Sequence, residues 1–247
     1  MSHPIILIPA RLASQRLPAK ALADIAGKPM IVRVWERAVA AEVGPVVVAT
    51  DAPGIAAAVT AAGGRAIMTA PAHASGSDRI AEALAKIDPA GAHDLAVNVQ
   101  GDEPLVEPEA IRAAVALMDD RAVDIGTLCA PAGPGERDDP NAVKVAAAQV
   151  APGRLRALYF SRAPIPWGEG PLLRHVGLYA YRRAALARFV ALPPAPLERR
   201  ERLEQLRALE AGMRIDLALV QKAARGVDTP ADLARVRAAF AGEGQTE

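Results

Sequence analysis

Short apolar runs alternate with stretches of helical periodicity through the first half of the chain. The apolar runs predict strands at 4–8, 45–50, 65–68 and 94–99, and the periodic stretches predict helices at 30–41, 54–64, 77–87 and from Pro108. Because the predicted strands are continuously apolar, both of their faces must be covered. The pattern therefore predicts an α/β fold with a mostly parallel central sheet and helices on both faces.

The second half of the chain is less regular. It predicts strands at 142–150 and 174–181, a leucine-striped helix at 197–211 and a last helix that starts at Thr229-Pro230. Proline-rich segments at 131–140, 163–171 and 193–196 predict exposed loops. Because no internal repeat or long linker separates independent units, we expect one domain over residues 1–247.

Composition narrows the classes of protein to consider. Of the 247 residues 51% are hydrophobic, which is enough for a sizeable core, and the net charge is +1. A charge this small gives no broad basic field for nucleic acid or an anionic membrane. Cys129 is the only cysteine, which excludes an intrachain disulfide and suits a core residue in a reducing cytosol. No run approaches membrane-spanning length, so we expect a soluble cytoplasmic protein.

The segment PARLASQRLPAK (9–20) directly follows the first predicted strand. In an open α/β sheet, ligands bind beyond the carboxyl ends of the strands. The segment has no glycine to close its backbone on an anion, so Arg11, Arg16 and Lys20 would have to hold a polyphosphate through their side chains. A solvated charged loop is the alternative.

Two aspartates occupy positions that suit a hard cation such as Mg²⁺. Asp102 follows the strand in VNVQGDEPLV, where a carboxylate can supply oxygen ligands. Asp228 stands just before the last helix, whose Thr229 and Asp232 form a capping-box pattern. Ordinary turn chemistry for Asp102 and the helix dipole for Asp228 are the alternatives.

Other polar residues form weaker signals. HASGSDR (73–79) offers free backbone groups at Ser75 and Gly76 that suit the edge of a base, with Arg79 in the next helix; a plain Ser77 cap is the alternative. Five more polar residues are scattered through the second half: Arg162, His175, Tyr179, Glu204 and Gln205. The alternatives are that His175 is a structural histidine with its hydrogen bonds satisfied, and that Glu204 and Gln205 lie on a solvated helix face.

Other chemistries fit the sequence poorly. The Gly-x-Gly patterns at 133–135 and 168–170 do not lie between a strand and a helix, which argues against a dinucleotide-dependent dehydrogenase. The sequence also lacks a Gly-x-Ser-x-Gly elbow and a His-Glu-x-x-His zinc motif.

In their order along the chain, these segments resemble the 3-deoxy-manno-octulosonate (Kdo) cytidylyltransferase family. The resemblance is carried by IPARLASQRLPAK, GKPM, VVVATD, HASGSDR, VNVQGDEPL, NAVKV, YFSRAPIPW, RHVGLYAY, PLERRERLEQLR and GVDTP. It implies a Rossmann-like nucleotidyltransferase fold, with a smaller sugar-binding and dimerisation subregion at about 155–205. It also implies that a Mg²⁺-dependent homodimer transfers CMP from CTP to Kdo for lipopolysaccharide biosynthesis and releases pyrophosphate.

The resemblance further implies roles for individual residues. The nucleotide-binding residues would be Pro9, Ala10, Arg11, Arg16, Lys20, Ser75, Gly76, Arg79 and Gln100. Asp102 and Asp228 would ligate Mg²⁺ and would carry catalysis together with Arg11 and Lys20. The residues around the sugar acid would be Gln100, Arg162, His175, Tyr179, Glu204 and Gln205.

The chain departs from the family pattern at three places. Leu12 replaces a more usual aromatic residue, Ala19 replaces the usual glycine, and the region between Trp167 and Arg174 is shorter than in many members. The shorter region leaves 8-amino-Kdo open as the sugar. A sialic acid cytidylyltransferase and an inactive nucleotide-sugar binding module are further alternatives; the FSRAPIPW and LEQLR segments argue against the first, and the intact acidic and lysine residues argue against the second.

Overall fold

The structure, a computed structural model, describes residues 2–12, 17–221 and 226–243. The strands are β1 (Pro4–Ala10), β2 (Asp24–Ile25), β3 (Lys28–Pro29), β4 (Val46–Thr50), β5 (Arg65–Met68), β6 (Leu95–Asn98), β7 (Ile125–Pro131), β8 (Lys144–Ala151), β9 (Arg154–Ser161), β10 (Leu173–Arg182) and β11 (Ile215–Leu219). The helices are α1 (Met30–Val39), α2 (Pro53–Ala61), α3 (Gly76–Ile87), α4 (Pro108–Ala116), α5 (Arg183–Ala191), α6 (Pro196–Glu201), α7 (Gln205–Glu210) and α8 (Pro230–Glu243).

The chain divides into two compact units. The first consists of the described residues between 3 and 111 and from 226 onwards, and the second consists of the described residues between 112 and 223. The expectation of one domain over residues 1–247 stays a prediction.

The first unit contains parallel strands in the order β5-β4-β1-β6. All five residues of β4 are buried, as are Ile5–Ile8 of β1. Because successive side chains of a strand point to opposite faces, both faces of these strands are covered. The predicted α/β class, with parallel strands buried on both faces, is therefore confirmed in this unit.

Helix α8 belongs to the first unit although it lies at the end of the sequence. Its Leu233 and Val236 form one buried cluster with Val227, Ile25 and Met30. This packing fixes the segment before α8, which carries Asp228, against the hairpin β2–β3 and the start of α1.

The second unit contains a mixed sheet. Its strands lie in the order β10-β7-β11-β9-β8, with β7 and β11 parallel and the other neighbours antiparallel. A single pairing of Arg174 with Lys144 also joins β10 to β8. Cys129 on β7 is fully buried and burial raises the pKa of its thiol to about 12, as expected for a core residue.

Two details of the predicted helices are wrong. Helix α3 begins at Gly76 rather than 77, and Ser75 is its cap: the Ser75 hydroxyl accepts a hydrogen bond from the backbone N–H of Asp78 at 3.2 Å. The helix predicted at 197–211 consists of two short helices, α6 and α7, because Arg202 adopts a left-handed conformation with φ of 56°. Within the described residues, no helix has the length and apolar character needed to span a bilayer.

Candidate active site

A lysine and two aspartates meet in the first unit. The Lys20 ammonium donates to Asp102 Oδ2 at 2.6 Å, to Asp228 Oδ1 at 3.1 Å and to the carbonyl of Val227 at 3.0 Å. Burial disfavours its charge, but the attraction and hydrogen bonds of Asp102 and Asp228 outweigh burial and raise the pKa of Lys20. The side chain is therefore a fixed cation between two carboxylates.

Local backbone features bring these three side chains together. Lys20 begins a short 3₁₀ turn, Lys20–Leu22, immediately after Ala19, which has a left-handed φ of 54°. Asp102 follows β6 after Gly101, where an added Cβ would lie only 2.6 Å from the carbonyl oxygen of Pro9. Only glycine permits this close approach of the β6 end to the β1 end.

The segment before α8 is held on Asp102 and capped by its own helix. The N–H of Val227 donates to the carbonyl of Asp102 at 2.9 Å. The Asp232 carboxylate accepts from the N–H groups of Thr229 at 3.0 Å and Asp228 at 3.2 Å, and the Thr229 hydroxyl accepts from the N–H of Asp232 at 3.2 Å. The predicted capping box is confirmed, and it orients the backbone of Asp228.

The donor set of this cluster suits a hard divalent cation. Two carboxylates already converge on one positive charge, and Mg²⁺ is usually bound through one or two carboxylates with water and phosphate oxygens completing the shell. No group of three or more acidic, histidine or cysteine side chains that could hold a metal occurs in the part of the chain that the structure describes. A metal bound here would therefore take its remaining ligands from the substrate and from water.

The other predicted nucleotide-binding residues of this unit that the structure describes lie at the ends of β1 and β6 and at the start of α3. Pro9 and Ala10 end β1, Arg11 is exposed just beyond it, and Arg16 lies outside the described residues. Gly76 packs against Pro9, since an added Cβ would lie 3.2 Å from the proline ring. Gln100 is half-buried between β6 and Asp102.

Arg79 is buried beneath this edge of the sheet. Its guanidinium donates to the Thr69 hydroxyl at 2.6 Å and to Asp51 Oδ2 at 3.2 Å, so it joins α3 to the ends of β4 and β5. It has only 3% of its surface exposed. Its role in nucleotide binding stays a prediction.

In the second unit, Arg162 holds several backbone carbonyls at once. Its guanidinium donates to the carbonyls of Glu201 at 2.8 Å, Pro140 at 2.8 Å and Arg202 at 3.3 Å. The Glu201 carboxylate in turn accepts from the Ser161 hydroxyl at 2.7 Å. Arg162 therefore connects the end of β9, the loop before β8 and the break between α6 and α7.

The remaining sugar-side residues lie on β10 and α7. His175 is buried, and its ring centroid lies 5.5 Å from that of Tyr179, which is half-buried. Gln205 opens α7 and is buried, whereas the adjacent Glu204 is half-buried. The alternative explanation, a solvated helix face, does not hold for Gln205, and the binding of the sugar acid by Glu204 and Gln205 stays a prediction.

Two further polar residues of the second unit, Lys144 and Thr127, were not predicted from the sequence. Lys144 is fully buried and donates to the carbonyl of Asp139 at 2.8 Å, next to the Pro140 carbonyl that Arg162 holds. Burial lowers the pKa of Lys144, although the Asp139 carboxylate opposes the shift. A lysine inside the apolar run NAVKV is a signal that sequence inspection could have used. Thr127, which contacts His175, lies within β7 and stands in no recognisable motif.

Comparison with known proteins places the chain in a class. The sequence model of a family described as cytidylyltransferase matches residues 5–215. A cytidylyltransferase from Leptospira borgpetersenii shares the fold, with a TM-score of 0.63 at 14% identity over 98% of this chain and 88% of that one. The class defined by the fold and the family match is that of the cytidylyltransferases.

More similar relatives narrow the class to one family. The 3-deoxy-manno-octulosonate cytidylyltransferase of Methylobacterium radiotolerans is 65% identical over 98% of both chains, and that of Rhodopseudomonas palustris is 60% identical over 96% of this chain and 97% of the relative. A solved structure described as CMP:2-keto-3-deoxy-manno-octonic acid synthetase complexed with CTP matches with a TM-score of 0.91 and 44% identity, over 98% of this chain and 100% of that one. This chain belongs to the 3-deoxy-manno-octulosonate cytidylyltransferase family, which confirms the resemblance carried by its motifs.

Proposed function

We propose that the protein transfers CMP from CTP to Kdo, releasing pyrophosphate, and supplies CMP-Kdo for lipopolysaccharide biosynthesis. The observation that carries the proposal is the convergence of Asp102 and Asp228 on Lys20, whose ammonium donates a hydrogen bond to each carboxylate. It is supported by the 65% identical relative that bears this activity as its name, and by the 44% identical structure that is described as a complex with CTP.

Asp102 and Asp228 would hold Mg²⁺ in this reaction. When bound, the ion would neutralise phosphate charge and lower the pKa of the attacking hydroxyl. Lys20, fixed beside both carboxylates, would bind the β- and γ-phosphates together with Arg11 and stabilise them as pyrophosphate leaves.

The chemical step is a displacement at phosphorus. The oxygen of the anomeric 2-hydroxyl of Kdo forms a bond to the α-phosphorus of CTP. The bond between that phosphorus and the pyrophosphate oxygen breaks, and the hydroxyl proton passes to water. The contribution of the chain is to position the triphosphate and balance its charge, which is the principal requirement in phosphoryl-type transfer.

The second unit would carry the recognition of the sugar acid. Arg162, His175, Tyr179 and Gln205 are all held in this unit by buried or half-buried contacts. Such prearranged polar groups suit a ligand that is rich in hydroxyl groups.

The proposed protein is a cytoplasmic homodimer. Leu158 and Trp167, both within the subregion at about 155–205, are 60% and 98% exposed. Burial of these side chains against a partner would favour association, and we assign them to a homodimer interface. The location would be the cytoplasm, where CTP is available.

Pyrophosphate release with CTP and Mg²⁺, measured in parallel with Kdo, 8-amino-Kdo and sialic acid, tests the function. We expect release with Kdo to be the fastest. Faster release with 8-amino-Kdo or sialic acid would reassign the sugar. Binding of CTP without turnover of any of the three acids would replace the enzyme by a nucleotide-sugar binding module.

A further inference from the structure

His175 lies on β10 in a packed environment whose polar contacts are few. Its ring stands edge-on to that of Phe160, with the centroids 5.0 Å apart, and its own backbone N–H donates to the carbonyl of Val143 at 2.8 Å. The ring Nε2 lies 3.0 Å from the hydroxyl oxygen of Thr127. Within the described part of the chain, Thr127 is the only residue that hydrogen-bonds the ring.

Thr127 lies on β7 opposite an irregular stretch of β10. The pairing of the two strands shifts register between Val176 and Ala180, and Thr127 is fully buried at this point. Its hydroxyl oxygen lies 2.8 Å from the carbonyl oxygen of Leu178 and 3.2 Å from that of Val176.

These contacts determine which atom carries the proton between Thr127 and His175. A carbonyl oxygen can only accept, and the hydroxyl has a single proton to donate. That proton must be directed to the β10 carbonyls, because two oxygens 2.8 Å apart without a proton between them would repel. The hydroxyl is therefore left with its lone pairs towards His175, and Nε2 must be the donor.

The charge of the ring follows from its surroundings. Burial, reinforced by the neighbouring Arg174, lowers the pKa of His175 to about 3, so the ring is neutral at physiological pH. A neutral imidazole protonated at Nε2 carries a lone pair at Nδ1. No described residue hydrogen-bonds Nδ1.

We infer that Thr127 is a positioning residue that holds His175 as the Nε2–H tautomer, so that Nδ1 accepts a hydrogen bond from a hydroxyl group of the acidic sugar. His175 thereby recognises a neutral hydroxyl group and does not pair with the carboxylate. A site built to accept from a hydroxyl also discriminates against sugars that lack it, because the acceptor would lose its only partner. The inference rests on the proposed function for its substrate, whereas the tautomer rests on the fold alone.

The first experiment is the ¹⁵N–¹H long-range spectrum of the histidine rings at pH 7. The chain has only four histidines, so the His175 signals can be assigned from a His175→Gln variant. We expect the pattern of a neutral ring with protonated Nε2, and a shift of the Nδ1 resonance when Kdo is added. A wild-type pattern with protonated Nδ1, or an Nδ1 chemical shift that does not change when Kdo is added, overturns the inference.

Substitution of Thr127 provides the second readout. Thr127→Val removes the hydroxyl at nearly constant shape, and Thr127→Ser keeps it. We expect Thr127→Val to shift His175 away from the Nε2–H tautomer and to raise KM for Kdo about tenfold, which is the loss of about one hydrogen bond. KM for CTP and kcat should stay within about twofold, and Thr127→Ser should restore both the spectrum and KM.

Equal changes in the KM values for Kdo and CTP in Thr127→Val would indicate general damage and contradict the inference. If Thr127→Val does not fold, the wild-type spectrum with and without Kdo still decides. If the wild-type protein releases no pyrophosphate with Kdo, the proposed function and the sugar contact both fail. The tautomer is then decided separately by the spectrum.

Discussion

At the scale of residues, the principal feature is that Lys20 forms an ion pair with both Asp102 and Asp228. Two carboxylates in close proximity repel each other, and a shared ammonium, 2.6 Å and 3.1 Å away, offsets that repulsion by its attraction to each. The Lys20 side chain is only 17% exposed, so the interaction is screened less by salt than a surface ion pair would be. Removal of any one member changes the charge balance of the other two.

Asp102→Asn and Asp228→Asn should each lower kcat by about two to three orders of magnitude at limiting Mg²⁺, because the amide keeps the shape of the carboxylate but loses its charge. The matched control is Asp94→Asn. Asp94 precedes the same strand β6 at its opposite end, where it accepts from the N–H of His3 at 2.6 Å. Steady-state pyrophosphate release over a range of Mg²⁺ concentrations measures the effect. Wild-type turnover in either variant at limiting Mg²⁺ would remove that residue from the proposed metal ligands.

Lys20→Ala should weaken CTP binding by about tenfold to a hundredfold, since a charge-assisted contact contributes about 1.5–3 kcal/mol. CMP lacks the β- and γ-phosphates, so its affinity should change little. Titration calorimetry of both nucleotides with Mg²⁺ and without sugar provides the comparison. The control is Lys28→Ala, which removes a lysine of the same unit that pairs with Glu36. Equal losses for CTP and CMP would show that Lys20 serves the α-phosphate or the loop itself.

The meeting of these residues could be predicted in part from the sequence. Asp102 follows an apolar strand and Asp228 precedes a capped helix, so the sequence alone places both where a ligand can bind. The role of Lys20 as the bridge between them could not be predicted, because it depends on contacts across 82 and 208 residues. Thr127 was missed for a similar reason: its significance arises only from its position opposite the irregular part of β10.

At the scale of elements, tertiary contacts override local helical propensity between α6 and α7. The leucine stripe of 197–211 is compatible with one helix, yet the chain turns at Arg202. The Arg162 guanidinium donates to the carbonyls of Glu201 and Arg202, which in a continuous helix would accept hydrogen bonds from backbone N–H groups. Arg162, which lies 39 positions from Glu201, thus ends α6. No pattern within residues 197–211 predicts this break.

Helix α3 is tied to the end of β5 by Glu82. Its two carboxylate oxygens accept from the N–H of Ala70 at 3.2 Å and 3.0 Å, and it pairs with Lys86 at 2.6 Å and with His73. The hydrogen bond from Lys86 is the largest influence. Together with the bond from Ala70 it outweighs desolvation and lowers the pKa of Glu82 to about 2.

The pH dependence of stability should therefore contain a contribution from Glu82. The folded pKa lies below the unfolded value of about 4.3, so the stabilisation is complete above that pH and is lost as the pH falls towards 2. Glu82→Gln should lower the free energy of unfolding at pH 6. Between pH 6 and pH 3 the free energy of unfolding should fall less in the variant than in the wild type. Urea denaturation at both pH values measures this, with the exposed Glu42→Gln as control. An unchanged difference between the two pH values would contradict the assignment.

At the scale of the whole molecule, the proposed chemistry is distributed over two units. The first holds Lys20, Asp102 and Asp228, and the second holds Arg162 and His175. The alternation of apolar runs and helices predicted the first unit well, because its parallel strands are buried on both faces. The mixed sheet of the second unit was predicted only in part. The last four residues of β8 are exposed, and β9 has exposed residues at Arg156 and Leu158, which weakens the apolar signal.

The proposed homodimer can be tested on the exposed residues of β9. Leu158→Glu should convert a dimer to monomers at micromolar concentration, because a charge buried in an apolar interface is left without a partner. Sedimentation velocity measures the change. Val39→Glu places the same charge on an exposed apolar site of the first unit, where Val39 is 44% exposed, and should leave the assembly unchanged. A wild-type protein that sediments as a monomer would contradict the proposal outright.

The first unit takes residues from both ends of the sequence, and this has a consequence for biosynthesis. A ribosome that has added 220 residues has made every strand of the first unit but none of Val227, Leu233 and Val236, which pack with Ile25 and Met30. Until residues 227–236 have been added, Ile25 and Met30 lack these packing partners, and the chain lacks Asp228. The cluster around Lys20 can therefore be completed only after the whole of the second unit has been synthesised.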